Sequence, residues 1–219
     1  MRRFTRRATD SEFAVVHLPR LNDRLNFVPP QPVLDVRLSE DTGPREAVML
    51  NWGLIPSWAK DESLQNVTYK ARSDCVATWA AFSSSFKHRR CLVVASGFFV
   101  ETDGHQYWVG IENRGLLAFA GLWDRWVGPR GVVESCAIVV APANSQLAEV
   151  ADEMPVIVPR SEYAAWISPD QQPEILHRLL RGSSRKLPNL EILELSGADS
   201  DLTSAPNFDA DLSAAARAR

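Results

Sequence analysis

The chain has 219 residues and lacks most features that would assign it to a chemical class at once. Its three cysteines, Cys75, Cys91 and Cys136, are odd in number and far apart, and its four histidines are equally scattered. This spacing argues against a disulfide framework and against a zinc site, and it indicates reduced, mostly buried thiols in a cytoplasmic protein. We therefore predict no metal site and no other cofactor.

Long apolar runs are also missing. No stretch approaches the roughly 18 apolar residues that a membrane-spanning helix needs, and no apolar segment follows the arginine-rich N-terminus as it would in a signal peptide. The net charge of -3 argues against a uniformly basic nucleic-acid-binding protein. Arginines predominate up to Arg24, however, and acidic residues predominate from Leu190 onward, so the total can hide a local basic face.

The motifs of the common catalytic sites are absent too. The sequence contains no Gly-x-Ser-x-Gly, no phosphate-binding loop, no His-Glu-x-x-His and no dinucleotide fingerprint. No pairing of a nucleophile with a base can be identified, so a plain peptidase acting on other proteins is the least favoured function.

What the sequence does contain is a succession of short strand-like segments. Apolar or alternating runs with β-branched and aromatic residues are separated by turns rich in Gly, Asp and Pro. They predict strands at 13–18, 33–38, 46–52, 91–95, 97–100, 106–112, 116–123, 135–140, 154–158 and 190–195. Predicted helices cover 75–87, 144–150, 161–167 and 174–180, and Ser161 is expected to cap the third.

This pattern predicts the α+β class. We expect a single compact β-rich domain with a mixed or antiparallel, barrel-like sheet and a few flanking helices. The domain is predicted to cover residues 1–197, and the Asp-, Ser- and Ala-rich residues 198–219 are predicted to form a flexible tail.

An aromatic loop at residues 51–61 is the most unusual segment. It places Trp52 and Trp58 close to Gly53, Pro56 and a lysine. Gly and Pro this close together fit neither a central strand nor the interior of a helix. Aromatic surface beside positive charge is what unstacked nucleic-acid bases bind. A tryptophan-rich corner of the core would show the same pattern, and these residues alone do not decide between the two.

Several short segments, taken in order, resemble one known family. They are Arg-Phe at 3–4, Trp-Gly-Leu-Ile-Pro-Ser-Trp at 52–58, Lys-Ala-Arg at 70–72, Arg-Arg-Cys-Leu at 89–92, Gly-Phe-Phe-Val at 97–100, Gly-Leu-Trp at 121–123 and Met-Pro-Val-Ile at 154–157. They resemble the SOS response-associated peptidase (SRAP) family, the abasic-site processing proteins. The family pattern reads Trp-Gly-Leu-Ile-Pro-x-Trp, Asn-Ala-Arg, Arg-Arg-Cys-Leu, Gly-Phe-Tyr-Glu and His-Asp-Arg-Met-Pro-Val-Ile. The resemblance implies a β-rich α+β domain with a basic, aromatic-lined DNA groove.

The resemblance also implies a particular chemistry, from which this sequence departs. In the family, an N-terminal Cys forms a thiazolidine with the aldehyde of an abasic site in single-stranded DNA, beside an Asn, a Glu and a His. The same Cys releases an N-terminal extension by autoproteolysis. Here the corresponding residues are Met1, Lys70, Val100 and Ala151, so no catalytic residue is assigned. Glu101 is a surrogate only if a bulge turns it, since a one-residue slip along a strand reverses the face.

The positions that the family uses to hold DNA are better preserved. By resemblance, Trp52 and Pro56 support or wedge against bases, and Arg3 and Arg72 hold phosphates. The predicted DNA-binding residues are Arg3, Trp52, Pro56, Trp58, Arg72, Arg90 and Asn144. For Arg90 the alternative is an ordinary solvated surface charge.

The resemblance leaves three functions open. The first is an SRAP-like protein of the DNA-damage response that binds single-stranded or junction DNA, including abasic DNA, with crosslinking and autoproteolysis impaired. The second is an abasic-site lyase in which the amine of Met1 or Lys70 forms a Schiff base. The third is a non-enzymatic protein-interaction module on the same fold. Whether the chain is an enzyme stays open, and we expect a monomeric, cytoplasmic protein that does not bind membranes.

Overall fold

Strands are the predominant regular structure in the computed structural model, which describes residues 13–15, 27–40, 43–111, 115–182 and 190–195. The strands within these ranges are β1 Pro32–Leu38, β2 Arg45–Trp52, β3 Lys70–Arg72, β4 Arg90–Ala95, β5 Gly97–Thr102, β6 His105–Ile111, β7 Leu117–Gly128, β8 Gly131–Pro142, β9 Glu153–Pro155 and β10 Leu190–Leu195. The α-helices are α1 Ser83–His88, α2 Tyr163–Ile167 and α3 Pro173–Gly182, and short 3-10 helices cover Glu62–Asn66 and Arg160–Glu162.

Five of the strands close into a mixed barrel. Antiparallel pairs join β2 to β1, β1 to β4, β4 to β7 and β7 to β8. The ring closes where the end of β2 runs parallel to β8, with Asn51 opposite Ser135 and Trp52 opposite Cys136. Beyond the ring, β3 and β9 add to β8, while β10, β6 and β5 form a separate antiparallel sheet. The predicted β-rich α+β fold with a barrel-like sheet is confirmed.

Alternation along the barrel strands divides the apolar side chains into two clusters. On β4, Leu92 belongs to a cluster with Phe86 of α1 and Trp166 of α2. Its neighbour Cys91 belongs to a second cluster with Trp123 of β7 and Cys136 of β8. A five-stranded barrel has no room for helices inside it. The face covered by the helices is therefore the outside, and the second cluster lies on the barrel's inner face.

One carboxyl group is buried on this inner face. Asp35 of β1 is completely buried beside the thiols of Cys91 and Cys136. Neither of its carboxyl oxygens has a hydrogen bond of regular geometry within the described part of the chain. Loss of hydration raises the pKa of Asp35 to about 8, although the two thiols and the charge of Arg37 act in the opposite direction. The group is therefore largely protonated at neutral pH.

The first two predicted helices are shorter than their sequence patterns indicate. The helix predicted at 75–87 is confined to α1, because the chain from Cys75 to Phe82 forms successive hydrogen-bonded turns. Phe82, with φ -121° and ψ -21°, lies outside regular helical geometry and interrupts the run. The helix predicted at 144–150 is also a pair of turns, in which the carbonyls of Asn144 and Leu147 accept the bonds.

Other predicted elements differ at their ends. The helix predicted at 161–167 begins as the 3-10 turn Arg160–Glu162, so the expected cap Ser161 lies inside that turn and Pro159 precedes it. Of the strand predicted at 13–18, only residues 13–15 are described, and Ala14 there has a left-handed φ of 53° rather than an extended one. The predicted tail at 198–219 lies outside the described residues. Helix α3 and strand β10 confirm the predictions at 174–180 and 190–195.

Candidate nucleic-acid interface

The aromatic loop after β2 is held in place by the β7–β8 hairpin. The backbone N–H of Ile55 donates to Ser135 Oγ at 2.8 Å, and that of Ser57 donates to Asp124 Oδ2 at 2.8 Å. Trp126 Nε1 donates to the carbonyl of Ala59 at 2.7 Å. These bonds satisfy polar groups of an irregular segment that would otherwise be costly to bury. The loop is therefore held in one conformation against the barrel.

Gly53 is required where this loop leaves β2. Its φ is 132°, and a Cβ added there would lie 2.4 Å from the carbonyl oxygen of Gln65. Pro56, three residues on, is buried, which argues against the predicted wedging of its ring against bases, and that contact stays a prediction. The side chain that the loop presents is Trp58, which is 59% exposed. A large exposed indole on a rigid loop is suited to stacking on an unpaired base.

Trp52 lies at the end of β2 and is half-buried. Its Nε1 donates to the carbonyl of Tyr69 at 2.9 Å, and its ring meets the Tyr69 ring edge-on at 6.3 Å between centroids. The polar edge of this indole is therefore occupied. The remaining accessible surface of the ring is what it can offer to a ligand.

Charged side chains continue this surface on either side of β8. Lys70 pairs with Ile138 on one edge of β8, and Glu153 pairs with Pro142 on the other edge. Trp52 pairs with Cys136, two positions before Ile138. Directly paired residues share a face of a sheet, as do every second residue along a strand. Trp52, Lys70, Arg72 and Glu153 therefore lie on one face. The ammonium group of Lys70 donates to the Glu153 carboxylate across β8.

Arg72 is exposed but already has a partner. Its Nη2 donates to Asp74 Oδ2 at 2.6 Å, and its Nε donates to Oδ1 at 3.2 Å. The side-chain hydrogen bond from Arg72 lowers the pKa of Asp74, so the carboxylate stays ionised. A phosphate would have to compete with Asp74 for this guanidinium. Because the ion pair is exposed to solvent and therefore weak, a negatively charged phosphate can displace Asp74.

The prediction that Arg90 binds DNA is wrong. Its side chain is 2% exposed and lies under the helices, where Nε donates to the Trp166 carbonyl at 2.7 Å and Nη1 to that of Phe86 at 2.5 Å. Nη2 donates to the carbonyl of Ser168. Desolvation lowers the pKa of Arg90 to about 10. The guanidinium thus ties the C-terminal carbonyls of α1 and α2 to β4, and its burial keeps it out of reach of a phosphate.

Two further predicted DNA-binding residues add less to this surface. Asn144 is half-buried, and its Oδ1 accepts from the backbone N–H groups of Gln146 at 3.0 Å and Leu147 at 3.2 Å. This side chain caps the turn that follows β8, and its DNA contact stays a prediction. Arg3 lies outside the described residues.

Three of the four positions of the family's reactive groups lie within the described residues, on β3, on β5 and between β8 and β9. Val100 on β5 packs against the cluster on the barrel's inner face. The β5–β6 register runs without interruption from Gly97 opposite Gly110 to Thr102 opposite His105, so no bulge turns the exposed Glu101 toward the side of Val100. Glu101 is therefore not a surrogate.

The other two reactive positions offer no acid or base of the family's kind. Ala151 donates its backbone N–H to Leu147 and has only a methyl side chain. Met1 lies outside the described residues. Among the described residues at these positions, only Lys70 therefore carries an ionisable side chain, which is an exposed amine.

A thiol does lie near this surface. Cys75 is partly exposed, and its Sγ donates to the carbonyl of Arg72 at 3.8 Å. Burial and the neighbouring Asp74 raise the pKa of Cys75. Nucleophilic thiols need a lowered pKa, so this one is not activated.

Sequence reasoning missed Glu153. A signal was present, because the family pattern has Asn-Ala-Arg where this chain has Lys70 and Asp-Arg-Met where it has Glu153. A neutral residue has become basic and a basic one acidic, which is the change expected of a new ion pair. What the sequence did not show is that β3 and β9 flank the same strand.

Among the described residues, no helix combines the length and apolar character needed to cross a membrane. Nor do three or more His, Cys, Asp or Glu side chains come together there in a way that could hold a metal ion.

The closed five-stranded mixed barrel defines a small β-barrel protein. Aromatic and charged side chains share one face of it, where β2, β3 and β9 meet β8. Comparison of the sequence with known families identifies which one it is. The chain belongs to the SRAP family, described as SOS response associated peptidase, whose family model matches residues 3–197. The resemblance noted from the short motifs is confirmed.

Similar proteins agree with this assignment. The chain is 28% identical over 163 residues to the abasic site processing protein YoqW of Bacillus subtilis, covering 71% of this chain and 72% of that protein. It is 27% identical over 149 residues to the abasic site processing protein HMCES of Xenopus tropicalis, covering 56% of this chain and 44% of that one. A solved protein from Bordetella bronchiseptica shares the fold with a TM-score of 0.71 and 19% identity over 87% of this chain and 95% of that one.

Proposed function

We propose that this protein binds abasic single-stranded DNA in the DNA-damage response and does not carry out the thiazolidine chemistry of its family. The similar proteins named for abasic-site processing support the choice of substrate. The observation that carries the proposal is a contrast in residue identity. Trp52 and Arg72 retain the family identity, whereas Lys70, Val100 and Ala151 do not.

The geometry favours single strands over an intact duplex. Trp58 is exposed on a rigid loop, and stacking of one base on an aromatic side chain contributes about 1–3 kcal/mol. Such stacking requires a base whose faces are free, which a duplex does not offer. Arg72 supplies a positive charge for the backbone once Asp74 is displaced.

The loss of the family chemistry is argued from internal positions. Thiazolidine formation at an aldehyde needs proton transfers, and Glu and His are side chains that can make them. Val100 and Ala151 cannot transfer protons, and the uninterrupted β5–β6 register keeps Glu101 off the face of Val100. We propose a cytoplasmic monomer that binds an abasic strand without forming a thiazolidine.

Fluorescence anisotropy tests the binding. Labelled oligonucleotides with an internal tetrahydrofuran, an unreactive abasic analogue, should bind more tightly as single strands than as duplexes. Trp58→Ala should weaken binding about 5- to 150-fold, the range that corresponds to the loss of one stacked base, and Trp58→Phe should restore most of it. Equal binding by wild type and Trp58→Ala would contradict the role of the loop.

The charge contribution is tested by salt dependence. Arg72→Ala should lower the slope of log affinity against log salt by about 0.7, the value for one phosphate contact in single-stranded DNA. Arg178→Ala is the matched control, since Arg178 is an exposed arginine of α3, and α3 packs on the outer, helix-covered face of the barrel. Absence of binding to any oligonucleotide at low salt would instead favour the protein-interaction module.

A further inference from the structure

The pair formed by Lys70 and Glu153 has no counterpart in the family pattern, which has Asn and Arg at the two positions. The ammonium group of Lys70 donates to Oε1 of Glu153. The two side chains are 46% and 41% exposed, so both remain open to a ligand. Exposed ion pairs contribute little to stability, which leaves the pair without an evident structural purpose.

The groups around this pair suit a sugar with a phosphate on one side. The Tyr69 ring lies 5.9 Å from Lys70 Nζ and, with Trp52, forms an aromatic edge. Arg72 lies two residues beyond Lys70 on the same face. A sugar placed at the amine would therefore have an aromatic surface on one flank and a guanidinium on the other.

We infer that Lys70 is a nucleophile that forms a Schiff base with the aldehyde of an abasic deoxyribose, and that Glu153 transfers the protons. This inference rests on the proposed function, because it takes abasic DNA as the substrate. It adds an activity to that function: reversible covalent capture of the lesion, followed by cleavage of the strand.

The first steps need only the two side chains. The Glu153 carboxylate takes a proton from the Lys70 ammonium group, and the free amine attacks C1′ of the ring-opened sugar to give a carbinolamine. Glu153, now protonated, gives its proton to the carbinolamine hydroxyl, which leaves as water. A C=N bond has then formed, the C1′–O bond has broken, and the carboxylate is ionised again.

The second stage is an elimination. The protonated imine acidifies the C2′ protons, and the Glu153 carboxylate removes one of them. The electron pair left at C2′ expels the 3′ phosphate, so the C3′–O bond breaks and a strand with a 5′ phosphate is released. Glu153 then releases its proton to solvent, and water hydrolyses the protonated imine to an aldehyde and the Lys70 ammonium group. No step changes the oxidation state of the system, so no redox partner is needed.

The experiment is reductive trapping. Full-length protein is incubated with single-stranded DNA containing one abasic site, in the presence of cyanoborohydride, and the products are separated on a denaturing gel. Wild type should give a stable adduct, and peptide mass spectrometry should place it on Lys70. Lys70→Arg, which keeps the positive charge but not the nucleophile, should abolish this adduct. Glu153→Gln should slow trapping about 100-fold, the usual effect of losing a general acid–base group.

Matched controls separate this inference from the proposed function. Lys87→Arg makes the same change at an exposed lysine of α1 and should leave trapping unchanged. Binding of the tetrahydrofuran oligonucleotide is measured for every variant. If wild type binds it but gives no adduct, or gives one on the N-terminal amine or another lysine, the inference is overturned and the proposed function stands. If wild type does not bind it at all, both are overturned.

Discussion

Replacing Asp35 by Asn should remove a large part of the pH dependence of this protein's stability. The carboxyl group is fully buried on the barrel's inner face, and burial raises its pKa to about 8, against about 3.9 in an unfolded chain. The neighbouring Arg37 offers little compensation, because its guanidinium is bound to Glu46 at 2.7 Å and to Glu134 at 3.2 Å. The folded state therefore holds a proton that the unfolded state releases.

The sign and size of the effect follow from this difference. A group whose pKa is raised on folding favours the folded state fully at low pH, and that contribution is lost as the pH rises toward the folded value. Between the two pKa values, stability falls by about 1.4 kcal/mol for each pH unit. Asp35 alone should therefore lower the free energy of unfolding by about 2 to 3 kcal/mol between pH 5 and pH 7. For a domain with about 5–15 kcal/mol of total stability, that loss is easily measured.

Urea unfolding, followed by tryptophan fluorescence at pH 5, 6 and 7, checks the prediction. The difference in unfolding free energy between wild type and Asp35→Asn should shift with pH by the amount above, because titrations that the two proteins share cancel. Asp61→Asn serves as a control, since hydrogen bonds to Ser63 lower the pKa of the exposed Asp61 and keep it ionised throughout. Parallel curves for wild type and Asp35→Asn would refute the claim that Asp35 is protonated in the fold.

Two other substitutions test the supports of the site. Arg90→Met should cost about 3 kcal/mol or more in urea unfolding, because it leaves three buried carbonyls without a donor, while the folded variant should still bind abasic DNA. Unchanged stability would show that these carbonyls have other partners. Gly53→Ala should destabilise by more than about 1 kcal/mol, since its φ is 132° and its Cβ would meet the Gln65 backbone. Gly104→Ala, which has a left-handed φ but open space around it, should cost less, and equal costs would argue against the clash.

Local signals predicted the hairpins correctly because the interactions that form them are close in sequence. The turn at Asp103 and Gly104 has φ values of 51° and 78°, which Asp and Gly tolerate better than most residues, and it joins β5 to β6 where the dipeptide indicated. Helix ends were predicted less well. The segment at 75–87 has helical periodicity, but its first turns do not continue into a helix.

Adjacent residues of the same type show the limit of sequence reasoning at the site. Arg89 and Arg90 are chemically identical, yet Arg89 binds Asp124 at 2.7 Å while Arg90 is buried beneath α1 and α2. The two residues follow one another where α1 passes into β4, and only the packing of the helices determines that Arg90 is the one covered. Pro56 and Trp58 also lie close together in one loop, yet the first is buried and the second is exposed.

The sequence by itself determined the family, the β-rich fold and the replacement of the family's reactive groups at internal positions such as Lys70, since each depends on residue identity and short-range pattern. Only the tertiary structure decided how the barrel closes and what its surface can do. The parallel pairing of β2 with β8 joins residues more than eighty positions apart, and the same strand brings Lys70 to Glu153. Contacts of that separation arise from packing of the whole chain, which no local pattern encodes.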